Sequence, residues 1–176
     1  MPKLALALLL IFSLSACGFQ VIYKKREQNS EISYVEELAA IRIQKDRKRI
    51  SQELKNNLYD LLNPDYIKSE PKYFLILKLN ESVSPTFITL TGASGRNKII
   101  LQVNYTLKSL ETGDVISTGS TTVNDDYDVD DSRYGTYVAE NYIKSNITKT
   151  AAQNIRNSLV NDLIEMKKED LKTSAE

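Results

Sequence analysis

Two periods of hydrophobic residues recur along this chain, and each predicts a kind of element. Residues 73–79 are apolar except for Lys78, and residues 97–110 alternate apolar and polar side chains. This alternation predicts strands, because successive side chains of a strand point to opposite faces. Segments 38–44 and 115–124 predict a short first strand and a last strand rich in Thr and Ser. The alternation is cleanest in the third predicted strand, whose apolar face carries Ile99, Leu101, Val103, Tyr105 and Leu107.

Apolar residues three or four positions apart predict two helices. The first follows Asp46, a candidate N-cap, and ends before Pro64, because the residue before a proline is pushed out of the helical region. Its apolar face carries Ile50, Leu54, Leu58 and Leu61. The second helix is predicted over 132–166, with one face formed by Tyr134, Val138, Ala152, Ile155, Leu159, Leu163 and Met166.

The element order β-α-β-β-β-α predicts an α+β fold. The turn at 111–114, in which Gly113 is free to take a positive φ, joins the last two strands as a hairpin. A sheet with one apolar face needs a cover, and two amphipathic helices supply it. We therefore predict a two-layer sandwich: a four-stranded, mainly antiparallel sheet with two helices on one face. The other face is polar, with Lys78, Gln102, Asn104, Thr106, Lys108, Thr118, Ser120 and Thr122.

The first residues have the three-part layout of a secretory signal. Lys3 precedes an apolar run over 4–14, and Leu14-Ser15-Ala16-Cys17 follows. The run is too short to span a bilayer as a helix, which needs about 20 apolar residues. The four residues ending at Cys17 resemble the bacterial lipobox, in which the cysteine becomes the first mature residue and carries diacylglycerol and an N-acyl chain. An ordinary secretory signal with an incidental cysteine is the alternative.

These features predict the organisation of the chain. Residues 1–16 are a lipoprotein signal peptide, and 17–37 are the lipidated Cys17 and a polar tether. A single domain covers 38–166, and 167–176 form a charged tail that frays. Gly18 stands where an Asp usually signals retention in the inner membrane, so we expect a lipid-anchored protein on the periplasmic side of the outer membrane.

Composition narrows the classes of function. Lys plus Arg and Asp plus Glu balance at 23 each, so no nucleic-acid partner is expected. The chain has no histidine, and Cys17 is its one cysteine. Zinc sites of the His/Cys kind, Ser-His-Asp triads and disulfides are thereby excluded. We expect a protein that is not an enzyme, with no metal and no cofactor other than the covalent lipid on Cys17.

Motifs spread over the mature chain resemble the lipopolysaccharide-assembly lipoprotein family (LptE), in its shorter alphaproteobacterial-like form. No single motif is specific, but their order together with the lipobox and the element order is characteristic. The matching residues are Cys17-Gly18-Phe19, Tyr23, residues 49–58, Leu62-Asn63-Pro64, Tyr73 with its alternating leucines, Thr112-Gly113, Gly119, Tyr127 and Ala139-Glu140.

The resemblance implies a function that composition does not. Members of this family sit inside the lumen of the large outer-membrane β-barrel LptD, plug it and assist its assembly. The pair delivers lipopolysaccharide to the outer leaflet, and basic residues at one end of the sheet contact lipopolysaccharide. The basic pair Arg96 and Lys98 lies where a glycine-containing loop enters the third predicted strand, so it is our lipopolysaccharide-binding candidate. The alternative is a solvated strand end.

Other residues offer further candidates, each with a simpler alternative. Ile143 and Ile147 point away from the main apolar stripe of the last helix, so they are candidates for a partner interface. A kink or a drift in register would also explain them. Three tyrosines of the same helix are interface or core candidates, with core favoured for the first: Tyr134, Tyr137 and Tyr142.

The acidic segment 125–131 begins like a calcium-binding EF-hand loop, with Asp126, Asp128 and Asp130. It departs where that loop needs a glycine and a final bidentate glutamate, since Asp131 and Tyr137 occupy those places. We therefore interpret this segment as an acidic linker before the last helix.

Two other functions stay open at this stage. One is another lipid-anchored accessory or binding lipoprotein of the outer membrane, for example of a phospholipid-trafficking transporter. The other is a carboxylate-dependent hydrolase of the cell envelope, for which the sequence offers only the acidic segment and Glu140.

Overall fold

The structure, a computed structural model, describes residues 34–88, 90, 92 and 94–173. They belong to one compact unit, Ser33–Glu176. The predicted signal peptide, Cys17 with its lipid, residues 17–33 of the predicted tether and residues 174–176 of the predicted tail lie outside the described residues.

The described residues form three helices and a four-stranded sheet. In chain order the elements are α1 (Tyr34–Ala39), β1 (Ile41–Ile43), α2 (Arg49–Leu62), β2 (Tyr73–Ile88), β3 (Ser94–Ser109), β4 (Val115–Asp128) and α3 (Arg133–Thr173). The strand order in the sheet is β1-β2-β3-β4. β1 runs parallel to β2, and the other neighbours are antiparallel. The α+β prediction is confirmed, with one helix more than the sequence pattern indicated.

The helices cover one face of the sheet, and the core lies between the two layers. The apolar face predicted for the third strand is buried along its whole length, from Ile99 to Leu107. Opposite it, α2 contributes Leu54, Leu58 and Leu62, and α3 contributes Ile155 and Leu159 among others. Each fully buried Leu or Ile side chain contributes roughly 1.5–3 kcal/mol, so this cluster is the main source of stability.

The described structure begins with a helix at Tyr34, before the domain boundary predicted at residue 38. Tyr34–Ala39 is a helix, and β1 begins only at Ile41. Leu38, Ala39 and Ala40 are buried, which explains why a short segment holds a helical turn. Residues 34–37, predicted as tether, therefore belong to the folded domain.

The predicted N-cap is also displaced. α2 begins at Arg49 with Lys48 in the N-cap position, and no side chain caps it. The Asp46 carboxylate instead accepts the backbone N–H groups of Arg47 and Lys48, at 2.6 and 3.4 Å. Asp46 thus shapes the turn that precedes the helix.

Strands β2, β3 and β4 extend well beyond the segments that alternation predicted. β2 continues through Pro85 to Ile88. On its other side, β1 pairs with β2 only from Tyr73 to Leu75. The rest of β2 is an edge, where the missing N–H of a proline is tolerated. β4 reaches Asp128, with Asp126 opposite Lys98 and Asp128 opposite Arg96. Opposite charges across a strand pair are stabilising, so the predicted acidic linker is mostly strand.

The last helix also runs farther than predicted. α3 continues to Thr173, where a fraying tail was expected from residue 167. Lys167 explains part of the extension, because its Nζ lies 3.1 Å from the Glu37 carboxylate of α1.

Candidate functional site

One end of the sheet extends past the helix that covers its other half. We call it the hairpin end: it contains Phe87 of β2, Arg96 of β3 and Asp128 of β4, which lie side by side. α2 begins beside Leu77 and Leu79, where its residue Ser51 lines a cavity with them. Beyond that level α2 no longer covers the sheet. The apolar side chains Val83, Phe87, Ile88 and Leu90 are exposed there.

The first part of α3 is exposed at the same end. In the second half of the helix, Ala152, Ile155, Leu159 and Leu163 are buried. Asn57 of α2 donates to Thr148 of α3 at 3.4 Å, so the two helices are in contact at this level. The first part of α3 instead exposes large apolar side chains to solvent: Tyr134, Tyr137, Val138 and Tyr142.

We call these two groups together the apolar end surface, because α3 begins soon after β4 ends at Asp128, beside Arg96. Large exposed apolar patches mark interaction sites, and tyrosine is enriched where proteins meet. Tyr134 is 76% exposed, so the prediction that it belongs to the core is wrong. The members of this surface are Val83, Phe87, Ile88, Leu90, Tyr134, Tyr137, Val138 and Tyr142.

An ion-pair cluster fixes α3 against β2 below this surface. Lys144 Nζ lies 2.8 Å from Glu81 Oε1 of β2 and 2.6 Å from Glu140 Oε1 of its own helix. Burial alone would lower the pKa of Lys144, but hydrogen bonds to Glu140 and Glu81 outweigh it, so the pKa is raised. The lysine therefore stays charged, and the helix start is held in place.

Ile147 is not an interface residue, contrary to the prediction. Its side chain is 2% exposed and lies in the core cluster, and Ile143 is half-buried against the same cluster. The physical reason is the length of α3: over 41 residues the buried face shifts around the helix. The simpler alternative of a drift in register describes these two isoleucines better.

Arg96 and Lys98 lie together on one face of β3, where acidic residues of β4 are their neighbours. Arg96 Nε donates to Asp128 Oδ1 at 2.7 Å, and Lys98 is opposite Asp126 in the register of β4. The hydrogen bond and charge of Asp128 raise the pKa of Arg96. A phosphate group approaching this pair must therefore compete with the carboxylates of β4.

The uncovered face of the sheet is polar over its whole middle. Asn80, Gln102, Asn104, Ser120 and Thr122 are exposed and adjacent in the strand register. One cation, Lys78, lies within this middle region opposite Asn104, whereas Lys108 lies toward one end and Arg96, Lys98, Asp126 and Asp128 lie at the other. The polar face predicted from alternation is thus present, and we call it the open face.

The hairpin part of the apolar end surface was not predicted from the sequence. A signal existed: Phe87, Ile88 and Leu90 follow Pro85 in a segment that was predicted as a loop. Three large apolar residues in a loop are a reason to expect either a longer strand or a contact with another molecule.

In the ranges that the structure describes, no group of three or more His, Cys, Asp or Glu residues is arranged to hold a metal ion. Among the helices of those ranges, none is both long and apolar enough to cross a membrane.

Solved structures share this fold. A Caulobacter crescentus protein assigned as a lipoprotein matches with a TM-score of 0.61 and 23% identity, over 72% of this chain and 93% of its own. Rare lipoprotein B from Shewanella oneidensis matches with a TM-score of 0.56 and 15% identity, over 72% of this chain and 96% of its own. A minor lipoprotein from Acinetobacter baumannii matches with a TM-score of 0.51 and 14% identity, over 69% of this chain and 89% of its own. The fold of the chain is therefore one that bacterial lipoproteins use.

Sequence comparisons add no closer relation. No protein-family model matches the chain, and no curated protein matches it either.

Proposed function

We propose that this chain is a lipid-anchored, non-enzymatic subunit of the outer-membrane lipopolysaccharide translocon. In this role it occupies the lumen of an LptD-type β-barrel, plugs it and assists its assembly. The observation that carries the proposal is the open face, whose middle presents hydroxyl and carboxamide groups together with Lys78. The fold shared with bacterial lipoproteins supports it.

The proposed anchor is the lipidated Cys17 on the periplasmic side of the outer membrane. Each methylene buried in a bilayer contributes about 0.8 kcal/mol, and stable anchoring needs more than one chain. A cysteine carrying diacylglycerol and an N-acyl chain exceeds that need. The lipobox-like Leu14-Ser15-Ala16-Cys17 supports this step of the proposal.

The open face suits a barrel lumen for a physical reason. The lumen of an outer-membrane barrel is polar, so an occupant needs hydrogen-bonding groups that do not require burial in an apolar core. Asn80, Gln102, Asn104 and Thr122 present such groups without net charge. The apolar end surface would supply the less polar contacts that hold the occupant in one position.

Site-specific photo-crosslinking tests which face meets the barrel. A photo-reactive amino acid at Gln102 or Thr122, both exposed on the open face, is expected to crosslink to a large β-barrel in intact cells. The same group at Val103, which is buried in the core, should give no such product and serves as the control. If positions 102 and 122 give no product with any barrel, the lumen proposal fails.

We also propose that Arg96 and Lys98 contact the phosphates of lipopolysaccharide. The double change Arg96→Ala, Lys98→Ala is expected to weaken lipopolysaccharide binding at least about tenfold, since a charge-assisted hydrogen bond contributes about 1.5–3 kcal/mol. The variant should remain folded, because both residues are on the uncovered face of β3.

Asp128→Asn gives the matching test in the opposite direction. It removes the carboxylate charge that now pairs with Arg96, so lipopolysaccharide binding should tighten. Unchanged binding in both variants would reject this site, and a binding assay with purified lipopolysaccharide measures both.

A further inference from the structure

β2 has a long edge that the first strand leaves open. β1 pairs with β2 only from Tyr73 to Leu75, and the backbone N–H of Gln44 donates to the Leu75 carbonyl at 2.9 Å. The chain then turns away into α2, which begins at Arg49. Within the described part of the chain, no further strand pairs with β2 on this side. From Leu77 onward, β2 therefore has a neighbouring strand on one side only.

The direction of the backbone groups along this edge follows from the bonds that precede it. The Tyr73 N–H donates to the Ala40 carbonyl at 3.4 Å, and the Leu75 carbonyl accepts Gln44, so both residues of β2 face β1. Successive residues of a strand direct their backbone groups to opposite sides, and the register with β3 is unbroken as far as Pro85. The residues that face outward are therefore Leu77, Leu79, Glu81 and Val83.

The outward N–H and C=O groups of these four residues have no backbone partner among the residues that the structure describes. A row of unpaired backbone groups at a sheet edge is a template for another strand. Pro85 ends the template, because it occupies the next outward position and has no N–H. We call residues 77–84 the free edge.

Side chains along the free edge set the chemistry of a strand that would pair with it. On the side of the helices, Leu77 and Leu79 are half-buried. The Glu81 carboxylate on the same side already lies 2.8 Å from Lys144 of α3. On the open face, Lys78 is exposed, and it forms no ion pair with a described carboxylate. An added strand is therefore expected to be apolar on the helix side and acidic beside Lys78.

The free edge begins at a cavity. The cavity has a volume of about 240 Å³ and lies between the residues that follow β1 and the first outward residues of β2. Its lining consists of Gln44, Lys45, Asp46, Ser51, Leu77 and Leu79. A water molecule takes about 30 Å³ of liquid, so the cavity has room for the end of an added strand and one of its side chains.

A second copy of this chain does not supply the missing charge in a closed assembly. Glu81 is the one acidic residue of β2 and lies on the helix side, so two paired β2 edges would leave Lys78 without an opposite charge. β4 carries Asp126 and Asp128 on the open face, but pairing of β2 with β4 of the next copy would repeat without closure. The free edge therefore suits a different protein.

We propose that the free edge of β2 accepts an extended segment of a partner protein as an additional strand. The segment would exchange backbone hydrogen bonds with the four outward residues, pack apolar side chains near Leu77 and Leu79, and place a carboxylate beside Lys78. This inference rests on the proposed function only in requiring a protein partner, and it does not require that the partner be a barrel or that the chain lie in a lumen.

Amide hydrogen exchange resolved to single residues tests the proposal. The lipidated protein produced alone is compared with the complex purified from detergent-solubilised outer membranes. The four outward N–H groups should exchange at least about tenfold more slowly in the complex, whereas the N–H groups that face β3 should be slow in both samples. Equal exchange of the outward groups in the two samples, or recovery of the protein without a partner, would overturn the proposal.

The same measurements separate this proposal from its competitors. Slow exchange of the outward groups in the protein alone, increasing with its concentration, would mean that two copies pair and would overturn the assignment to a partner. Protection of the free edge in the complex, without photo-crosslinks from Gln102 and Thr122 to a barrel, would support strand addition and reject the lumen.

Proline variants locate the added strand. Val83→Pro removes one outward N–H, and the matched control Val83→Ala keeps it. Pro85 already occupies an outward position of the strand, so Tm should change little, whereas Ser82→Pro removes an N–H that faces β3 and should lower Tm clearly. In the complex, the Leu79 and Glu81 N–H groups should exchange at least about tenfold faster with Val83→Pro than with Val83→Ala. Equal exchange in the two Val83 variants would overturn the proposal.

Discussion

Glu37 is the residue that ties the N-terminal helix to the rest of the fold. Its carboxylate accepts hydrogen bonds from Lys72 and Lys167 at 3.1 Å each and from the Tyr73 hydroxyl at 3.0 Å. Burial alone would raise the pKa of Glu37, but the hydrogen bonds from Lys167, Lys72 and Tyr73 outweigh it, so the pKa is lowered. α1, β2 and α3 are thus joined through one charge.

The lowered pKa of Glu37 makes the stability of the fold depend on pH. An unperturbed glutamate has a pKa near 4.3. The stabilisation is complete above that value and is lost as pH falls through the lower pKa of the folded state. Glu37→Gln should lower the free energy of unfolding at pH 7 by about 1–2 kcal/mol, discounted because Lys72 is largely exposed.

Chemical denaturation between pH 3 and pH 7 measures this dependence. The difference between the original protein and Glu37→Gln should shrink as the pH falls. Glu165→Gln, an exposed change on α3, is the control and should stay within about 0.5 kcal/mol at every pH. A constant difference across the range would contradict the account.

A single neighbour, Tyr105, leaves room only for glycine at position 119. Gly119 lies opposite Tyr105 in the register of β3 and β4, and a Cβ at Gly119 would collide with the Tyr105 ring and hydroxyl. An aromatic side chain that covers a glycine on the next strand stabilises the pair.

Gly119→Ala should therefore destabilise the fold. We expect a loss of roughly 1–3 kcal/mol, typical of overpacking, because the Tyr105 side chain that the new methyl group meets is buried; thermal or urea unfolding measures it. Ser120→Ala, the next residue and exposed, should change stability by less than about 0.5 kcal/mol. Equal stability of Gly119→Ala and the original protein would mean that the Tyr105 ring moves aside at no cost.

At the scale of elements, coverage by α2 decides which part of α3 is core. The apolar stripe of α3 was predicted correctly at Ala152, Ile155, Leu159 and Leu163, which are buried. The same stripe predicted burial for Tyr134 and Val138, which are exposed. Periodicity identifies a face but not the length of the element that packs on it. The 14-residue α2 is too short to cover all 41 residues of α3.

The β2–β3 hairpin was underestimated for a related reason. The apolar run of β2 ends at Leu79, because beyond it both faces of β2 are largely exposed. Pairing with β3 continues nevertheless. Backbone hydrogen bonds leave no hydrophobic pattern in the sequence, so a strand with little buried surface reads as a loop.

The apolar end surface is expected to contribute to partner binding rather than to folding. Phe87→Ser with Ile88→Ser should leave Tm nearly unchanged, because both side chains are 60% exposed. Recovery of the barrel partner should fall at least about tenfold, as expected for two interface anchors of about 1 kcal/mol each. Co-purification from outer membranes, quantified against the bait, measures it.

A matched variant controls for surface hydrophobicity as such. Leu110 and Val115 are also exposed apolar residues of the β3–β4 pair, but they flank the turn at the other end of the sheet. Leu110→Ser with Val115→Ser should retain the partner. Equal loss in both double variants would mean that the hairpin end has no special role.

For the molecule as a whole, the sequence pattern was sufficient for the architecture but not for the partner. The order of elements along the chain, the two layers and the polar open face follow from alternation and amphipathicity, which are properties of single residues along the chain. The contacts of Arg96 with Asp128, and of Ile147 with the core, depend on register and on the phase of a long helix. Those quantities are set by distant residues, so local patterns do not reveal them.

Affinity purification of the mature, C-terminally tagged protein from detergent-solubilised outer membranes tests the central proposal most directly. The proteins that come with it are identified and their amounts compared with the bait. The proposal predicts one large β-barrel in a stoichiometric amount. Recovery of the protein alone, or with subunits of a phospholipid-trafficking transporter, would contradict a role in the lipopolysaccharide translocon.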